Sequence, residues 1–93
     1  MIKNVRHKGL KALYRKGKAS GVEQSLVRRL KTRLTVLDAI EKVEDLQQFP
    51  NFRAHALKGN MSGHWSIWVS GNWRLTFTFE NGNVLDLDLK DYH

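Results

Sequence analysis

The chain ends on three consecutive residues that handle protons in three different ways: Asp91 with a carboxylate, Tyr92 with a phenol and His93 with an imidazole. Such a tripeptide suits general acid–base chemistry, in which one group takes a proton and another returns one. Chain termini are also where frayed, inert residues collect. What raises this one above that reading is the company it keeps. His55 and Lys58 flank the turn into the Gly-Asn-Met-Ser-Gly stretch at 59–63, and Arg74 has the small polar residues Thr76 and Thr78 as its neighbours along a strand pattern. A guanidinium in that setting stands over an open surface and can hold an anion. The alternative is a solvated strand arginine paired with Asp86 or Asp88, which is the commoner arrangement on composition alone; His55 and Lys58 have equally plain readings as surface residues. No zinc-ligand spacing, Walker loop, dinucleotide fingerprint or nucleophile elbow occurs, so no metal or cofactor is expected.

Bringing these residues together requires a sheet, and the apolar spacing after Pro50 supplies one. Residues 52–57 form a weak strand candidate. Residues 64–70 alternate Trp65, Ile67 and Val69 against His64, Ser66 and Trp68; residues 73–80 alternate Trp73, Leu75, Phe77 and Phe79 against Arg74, Thr76 and Thr78. A period of two is the mark of half-buried antiparallel strands. Ser70, Gly71 and Asn72 join these two, and Asn81-Gly82 predicts a tight hairpin because both residues tolerate positive φ. Residues 84–89 then place Leu85, Leu87 and Leu89 inward with Asp86 and Asp88 outward.

Before Pro50 the period is helical. Leu10, Leu13 and Tyr14 predict a short amphipathic helix closed by Gly17. Ser20 and Glu23 have capping-box spacing, which predicts a second helix starting there and running to about Ile40 along Val22, Leu26, Leu30, Leu34 and Leu37. Residues 2–6 alternate and predict an edge strand that pairs later in the chain. The expected fold is therefore a single α+β domain over 1–93: an N-terminal strand, two helices, then an antiparallel β-meander with the helices on one face.

Charge narrows the class of partner. The 93 residues carry a net +7, yet residues 1–33 hold eleven Lys or Arg and one acid, Glu23, for a local +10, while residues 34–93 come to −3. One end is built to meet a polyanion, with Lys8, Lys11, Arg28 and Lys31 as its helical candidates. A cleaved transit peptide has similar charge but no need of core residues. The 26 Leu, Ile, Val and Phe residues predict a folded core. The longest apolar run is three residues, which excludes a membrane-spanning helix, and the absence of cysteine excludes a disulfide framework.

Four stretches resemble a known family. The I-K-x-x-x-H-K-G-L-K of residues 2–11, the H-x-L-K-G of 55–59, the W-S-I-W-V-S-G-N-W-R-L-T-F of 65–77 and the terminal D-Y-H of 91–93 look like the HigB, or plasmid maintenance killer, toxins of the RelE/ParE superfamily. The resemblance spans nearly the whole chain, with residues 41–53 the least typical part. It implies a RelE-like fold and a bacterial, cytoplasmic, ribosome-dependent mRNA endonuclease that cuts messages in the decoding site. It also implies a helix-turn-helix, HigA-like antitoxin as partner, with operator DNA reached only through that antitoxin and no membrane contact. Carried over position by position, it makes His55, Asp91, Tyr92 and His93 catalytic and Lys58 and Arg74 phosphate-binding, with no departure at the six positions.

Imidazoles and carboxylates can exchange protons near neutrality where Lys and Arg cannot. A base from His55 or Asp91, an acid from His93, orientation or stacking by Tyr92 and charge stabilisation by Lys58 and Arg74 would therefore suffice for metal-independent attack by the 2′-OH, and the residues leave the identity of the base open. In this setting Lys8, Lys11, Arg28 and Lys31 would face the ribosome. Two other readings compete. A non-catalytic basic RNA- or ribosome-binding module explains the charge but not the His55, Arg74 and residue 91–93 set. A gyrase-directed ParE-like toxin shares the superfamily, although such members generally lack the histidine-rich site.

Overall fold

In the computed structural model, which describes residues 1–92, the helical half forms much as its spacing dictates. The first helix, α1 (Lys8–Lys16), buries Leu10 and Leu13. It starts on His7, whose Nδ1 accepts from the Leu10 amide at 3.1 Å, and it stops at Gly17, whose φ of 70° lets its N–H turn back to the carbonyls of Ala12 and Leu13. The second helix, α2 (Val27–Ala39), follows a 3₁₀ turn at Gln24–Leu26. Val22, Leu26, Leu30, Leu34, Leu37 and Ile40 are all buried, so the predicted stripe is real.

Its start is not where the capping box puts it. Glu23 stands at the start of the Gln24–Leu26 turn without a side-chain capping bond, and α2 itself starts after Leu26; the Gln24 side chain donates to the carbonyls of Ala19 and Val22 at 2.8 and 3.1 Å. The physical reason is a backbone contact. Gly21 packs so closely on Gly9 of α1 that a Cβ on Gly9 would lie 1.9 Å from the Gly21 carbonyl oxygen. Tertiary packing holds this stretch in a turn, and local capping propensity yields to it.

Two further 3₁₀ turns, Val43–Gln48 and Pro50–Phe52, lead to the sheet. The weak strand candidate shrinks to β1 (His55–Ala56), after which β2 (Trp65–Ser70), β3 (Trp73–Glu80) and β4 (Asn83–Asp91) form the meander. The order is β1-β2-β3-β4 and every pairing is antiparallel. Asn81 (φ 52°) and Gly82 (φ 80°) make the predicted β3–β4 hairpin turn.

The alternation along β4 is interrupted. Thr76 pairs with Asp88 but Thr78 pairs with Leu85, so β4 carries one extra residue, and Asp86 takes a φ of 52°. A bulge shifts the phase of every residue before it. Val84 is therefore fully buried and Leu85 only half-buried, against the expectation of Leu85 inward; Leu87 and Leu89 are buried as expected.

The same bulge explains the N-terminus. Residues 2–6 pair with β4 in parallel, but as two separate bridges, Ile2 with Val84 and Val5 with Leu87, rather than a continuous strand. Between them Asn4 fills the gap with its side chain, accepting from the Asp86 amide at 3.0 Å and donating to the Asp86 carboxylate at 2.9 Å. Ile2 and Val5 join α1, α2 and the inner face of the sheet in one core. Each fully buried Leu, Ile, Val or Phe there contributes roughly 1.5–3 kcal/mol.

Candidate active site

The helices cover one face of the sheet and leave the other open, and the register assigns residues to each. His55 pairs with Ser66, Ser66 with Thr76 and Thr76 with Asp88, so these four form one row across all four strands. The next row is Trp68, Arg74 and Lys90. Leu75, Ile67 and Phe77 alternate with them and are fully buried beneath the helices, which puts both rows on the open face. Ser66 and Thr76, each 1% exposed, are its floor. Ser66 Oγ and the nearby His64 Nδ1 are buried there and make no hydrogen bond among the described residues.

His55 is exposed, and its Nδ1 lies 2.9 Å from the carbonyl oxygen of Arg53. Lys58 is exposed and extended at the start of the short turn Gly59–Met61. Arg74 is half-buried and donates to the carbonyls of Gly71 and Trp73 at 3.2 and 3.3 Å, which aligns the guanidinium along the β2–β3 hairpin. Asp86 is engaged instead by Asn4 and by Arg6, whose Nε is 3.9 Å away. Asp91 is the last residue of β4 and pairs in register with Trp73. Tyr92 follows it, exposed, with its amide held by the Asn72 carbonyl at 2.9 Å. His93 lies outside the described residues. His55 and Arg74 thus share the open face. The tail leaves from the far strand, and His55 is separated from it by roughly 14 Å of sheet, three inter-strand spacings.

Around Trp68 the structure gathers residues that the reading of motifs passes over. Arg53 and Arg29 place their guanidinium carbons 4.5 and 5.4 Å from the centre of the Trp68 ring. The register of β2 on β3 is irregular between Trp68 and Ser70. In that stretch the Trp68 carbonyl accepts from Arg33 Nε at 2.8 Å and the Val69 carbonyl accepts from Arg29 at 3.0 Å. Arg33 is 3% exposed and lies over the Phe52 ring at 4.4 Å. Burial first, and the charge of Arg29 second, hold its guanidinium below its ordinary pKa. Arg29, Arg53, Arg74 and Lys90 together concentrate positive charge at one end of the open face, a field suited to phosphate. The signal for Arg33 is its spacing, three residues after Leu30 and four before Leu37, on the buried stripe itself.

The polyanion candidates lie on the other side of the molecule. Lys8 and Lys11 on α1, and Arg28 and Lys31 on α2, are all exposed on the helical layer. Lys8 and Lys11 line a groove with Arg15, Lys16 and Lys18. A concavity between α1 and α2 is lined by Leu13, Tyr14, Lys31, Leu34 and Asp38 and contains none of the described proton-transfer candidates. His55 sits on the open sheet face instead.

Comparison with known proteins agrees with this architecture. Residues 3–93 match the family described as RelE-like toxins of type II toxin–antitoxin systems, HigB. The chain is 44% identical to the protein named Endoribonuclease HigB from Proteus vulgaris over 93 residues, the full length of both. It is 36% identical to Toxin HigB-1 of Vibrio cholerae serotype O1 over 67 residues, 72% of this chain and 66% of that protein. Among solved structures, a YafQ mutant from E. coli aligns over 97% of this chain and 88% of its own with a TM-score of 0.63 at 17% identity. A YoeB dimer from Staphylococcus aureus aligns over 100% and 93% with a TM-score of 0.53 at 13% identity. At those identities the structures establish the shared fold. The full-length sequence match goes further, and the chain belongs to the HigB-like family, RelE-like toxins of type II toxin–antitoxin systems, a class that implies an antitoxin partner.

Proposed function

We propose that this toxin is a ribosome-dependent endoribonuclease that cuts messenger RNA on the open face of its sheet, and that it acts in the bacterial cytoplasm under the control of a HigA-like helix-turn-helix antitoxin. The observation that carries the reading is the register. It sets His55 and Arg74 on one solvent-facing surface, with Asp91 and Tyr92 at the end of the same sheet's last strand. The full-length similarity to a protein named an endoribonuclease supports it.

The chemistry follows from what a phosphodiester needs. The 2′-oxygen attacks phosphorus while its proton passes to a base; the bond from phosphorus to the 5′-oxygen breaks, and that oxygen takes a proton from an acid. The products are a 2′,3′-cyclic phosphate and a 5′-hydroxyl. Attacking and leaving oxygens lie on opposite sides of phosphorus, so base and acid must approach from opposite sides. With His55 as the base and His93 as the acid, the two groups come from opposite edges of the sheet order, and Arg74 belongs to a strand between them. In this assignment His55 or Asp91 is the base, His93 the acid, Tyr92 orients or stacks, and Lys58 and Arg74 stabilise charge on the phosphorane.

The two-sided distribution of charge supports dependence on the ribosome. Lys8, Lys11, Arg28 and Lys31 face away from the sheet's open surface and serve to hold ribosomal RNA, while the message is held on the opposite side. The ribosome then supplies the substrate positioning that so small a site lacks.

Truncation of Tyr92 and His93 tests the assignment of the tail, because Tyr92 is exposed and stands outside the core. The shortened protein is expected to keep its melting temperature, ribosome co-sedimentation and antitoxin binding while losing message cleavage. Retained cleavage would move the chemistry elsewhere, and loss of folding would make the tail structural.

A further inference from the structure

His55 is flanked by an arginine whose backbone has no local reason to be where it is. Arg53 ends the Pro50–Phe52 turn at φ 52°, ψ 45°. That is the left-handed region, where glycine and asparagine are at home and a long side chain is not. Non-glycine residues persist there when their surroundings over-determine them. Here the surroundings are visible. The Arg53 amide donates to the Pro50 carbonyl at 3.1 Å, and its guanidinium stacks on Trp68 at 4.5 Å. Trp68 is itself fixed, with its indole N–H on the Gly71 carbonyl at 3.0 Å and its own carbonyl on Arg33 at 2.8 Å.

The consequence falls on His55. The Arg53 carbonyl stands 2.9 Å from His55 Nδ1. A carbonyl oxygen only accepts, so the ring nitrogen facing it must donate. The hydrogen bond made by one nitrogen of an imidazole decides which nitrogen carries the lone pair.

We propose that Arg53 is a positioning residue for the proposed chemistry. Its left-handed backbone, held by the stack on Trp68, fixes neutral His55 as the Nδ1–H tautomer, so that Nε2 is the atom that accepts the proton of the 2′-OH. The proposal rests on the reading of His55 as a member of the site, and it resolves the choice of base in favour of His55. A ring with the opposite tautomer would turn its acceptor towards the Arg53 carbonyl and be unable to act.

Two-bond proton–nitrogen correlation spectra of the ¹⁵N-labelled intact protein read the tautomer directly, independently of activity. At the alkaline end of a titration the parent protein is expected to show His55 as Nδ1–H. Arg53→Val, whose β-branch resists positive φ, is expected to shift the ring towards Nε2–H and to lower kcat for cleavage on programmed ribosomes at least tenfold, with KM within about twofold. Arg53→Gly keeps the left-handed region accessible without the stack, and is expected to retain more of the Nδ1–H form and more cleavage than Arg53→Val. An Nε2–H ring in the parent overturns the proposal whatever the variants do. So does an unchanged tautomer in both variants, and Arg53→Gly still decides if Arg53→Val fails to fold. His55→Gln separates the two levels: full cleavage by that variant would remove His55 from the chemistry while leaving the tautomer result standing.

Discussion

Arg74 and Lys58 differ in how the chain holds them, and that difference governs what each substitution does. Arg74 is braced by two carbonyls of its own hairpin, so its fork is oriented before substrate arrives; Lys58 stands exposed at the start of a turn. Arg74→Ala is expected to lower kcat for message cleavage by about 10²–10³-fold, the usual effect of removing one preorganised donor to a developing anion. Arg74→Lys should recover only part of that, because an ammonium cannot reproduce the guanidinium's planar, two-point contact. Lys58→Ala should cost less, and melting temperatures of all three should stay close to the parent. At this scale the sequence was partly legible. The strand period correctly puts Arg74 on an open face, and the carbonyl hydrogen bonds that aim it come from a hairpin geometry that residue types alone do not specify. Arg53 could not be found by type or spacing, since its role lies in a backbone angle and in a contact with a tryptophan fifteen positions away.

The elements place the site through two features of very different visibility. The hairpin at Asn81-Gly82 and the apolar stripe of α2 are written in local sequence, and both appear as expected. The entry to α2 is not, because the Gly9–Gly21 contact joins residues twelve apart and overrides the Ser20–Glu23 capping signal. Gly9→Ala should therefore destabilise the protein by about 1–3 kcal/mol, as overpacking does, even though alanine is the better helix former. Chemical denaturation of the purified variant checks this; a stability equal to or above the parent would mean that the backbones can part without cost. The β4 bulge is invisible for a related reason. Leu85, Leu87 and Leu89 read as one continuous alternation, and only the cooperation of Asn4 with Asp86 reveals where the phase changes. Arg33 is the intermediate case. Its spacing lies on the buried stripe, but its charge argues for the surface until the Trp68 carbonyl and the Phe52 ring are seen to receive it.

At the scale of the whole molecule, the core separates two cationic surfaces, one over the helices and one around Trp68 on the sheet. Uneven charge along the chain reveals the first; the second is assembled from residues scattered between positions 29 and 90 and emerges only in the folded sheet. The two surfaces make different predictions. Replacing Lys8, Lys11, Arg28 and Lys31 together by alanine should weaken binding to 70S ribosomes and flatten its salt dependence, since each lost phosphate contact removes roughly one released counterion by the duplex-DNA analogy. Binding as tight as the parent at every salt concentration would reject that surface. The most direct test of the account as a whole is cleavage of a defined message on programmed ribosomes, compared with the same message carrying a single 2′-deoxy residue at the cut site. The all-ribose message is expected to be cut only when ribosome-bound, leaving a 2′,3′-cyclic phosphate, and the deoxy message to stay intact at that site. Cleavage of the deoxy message, a 5′-phosphate product, or equal cutting of free RNA would contradict it.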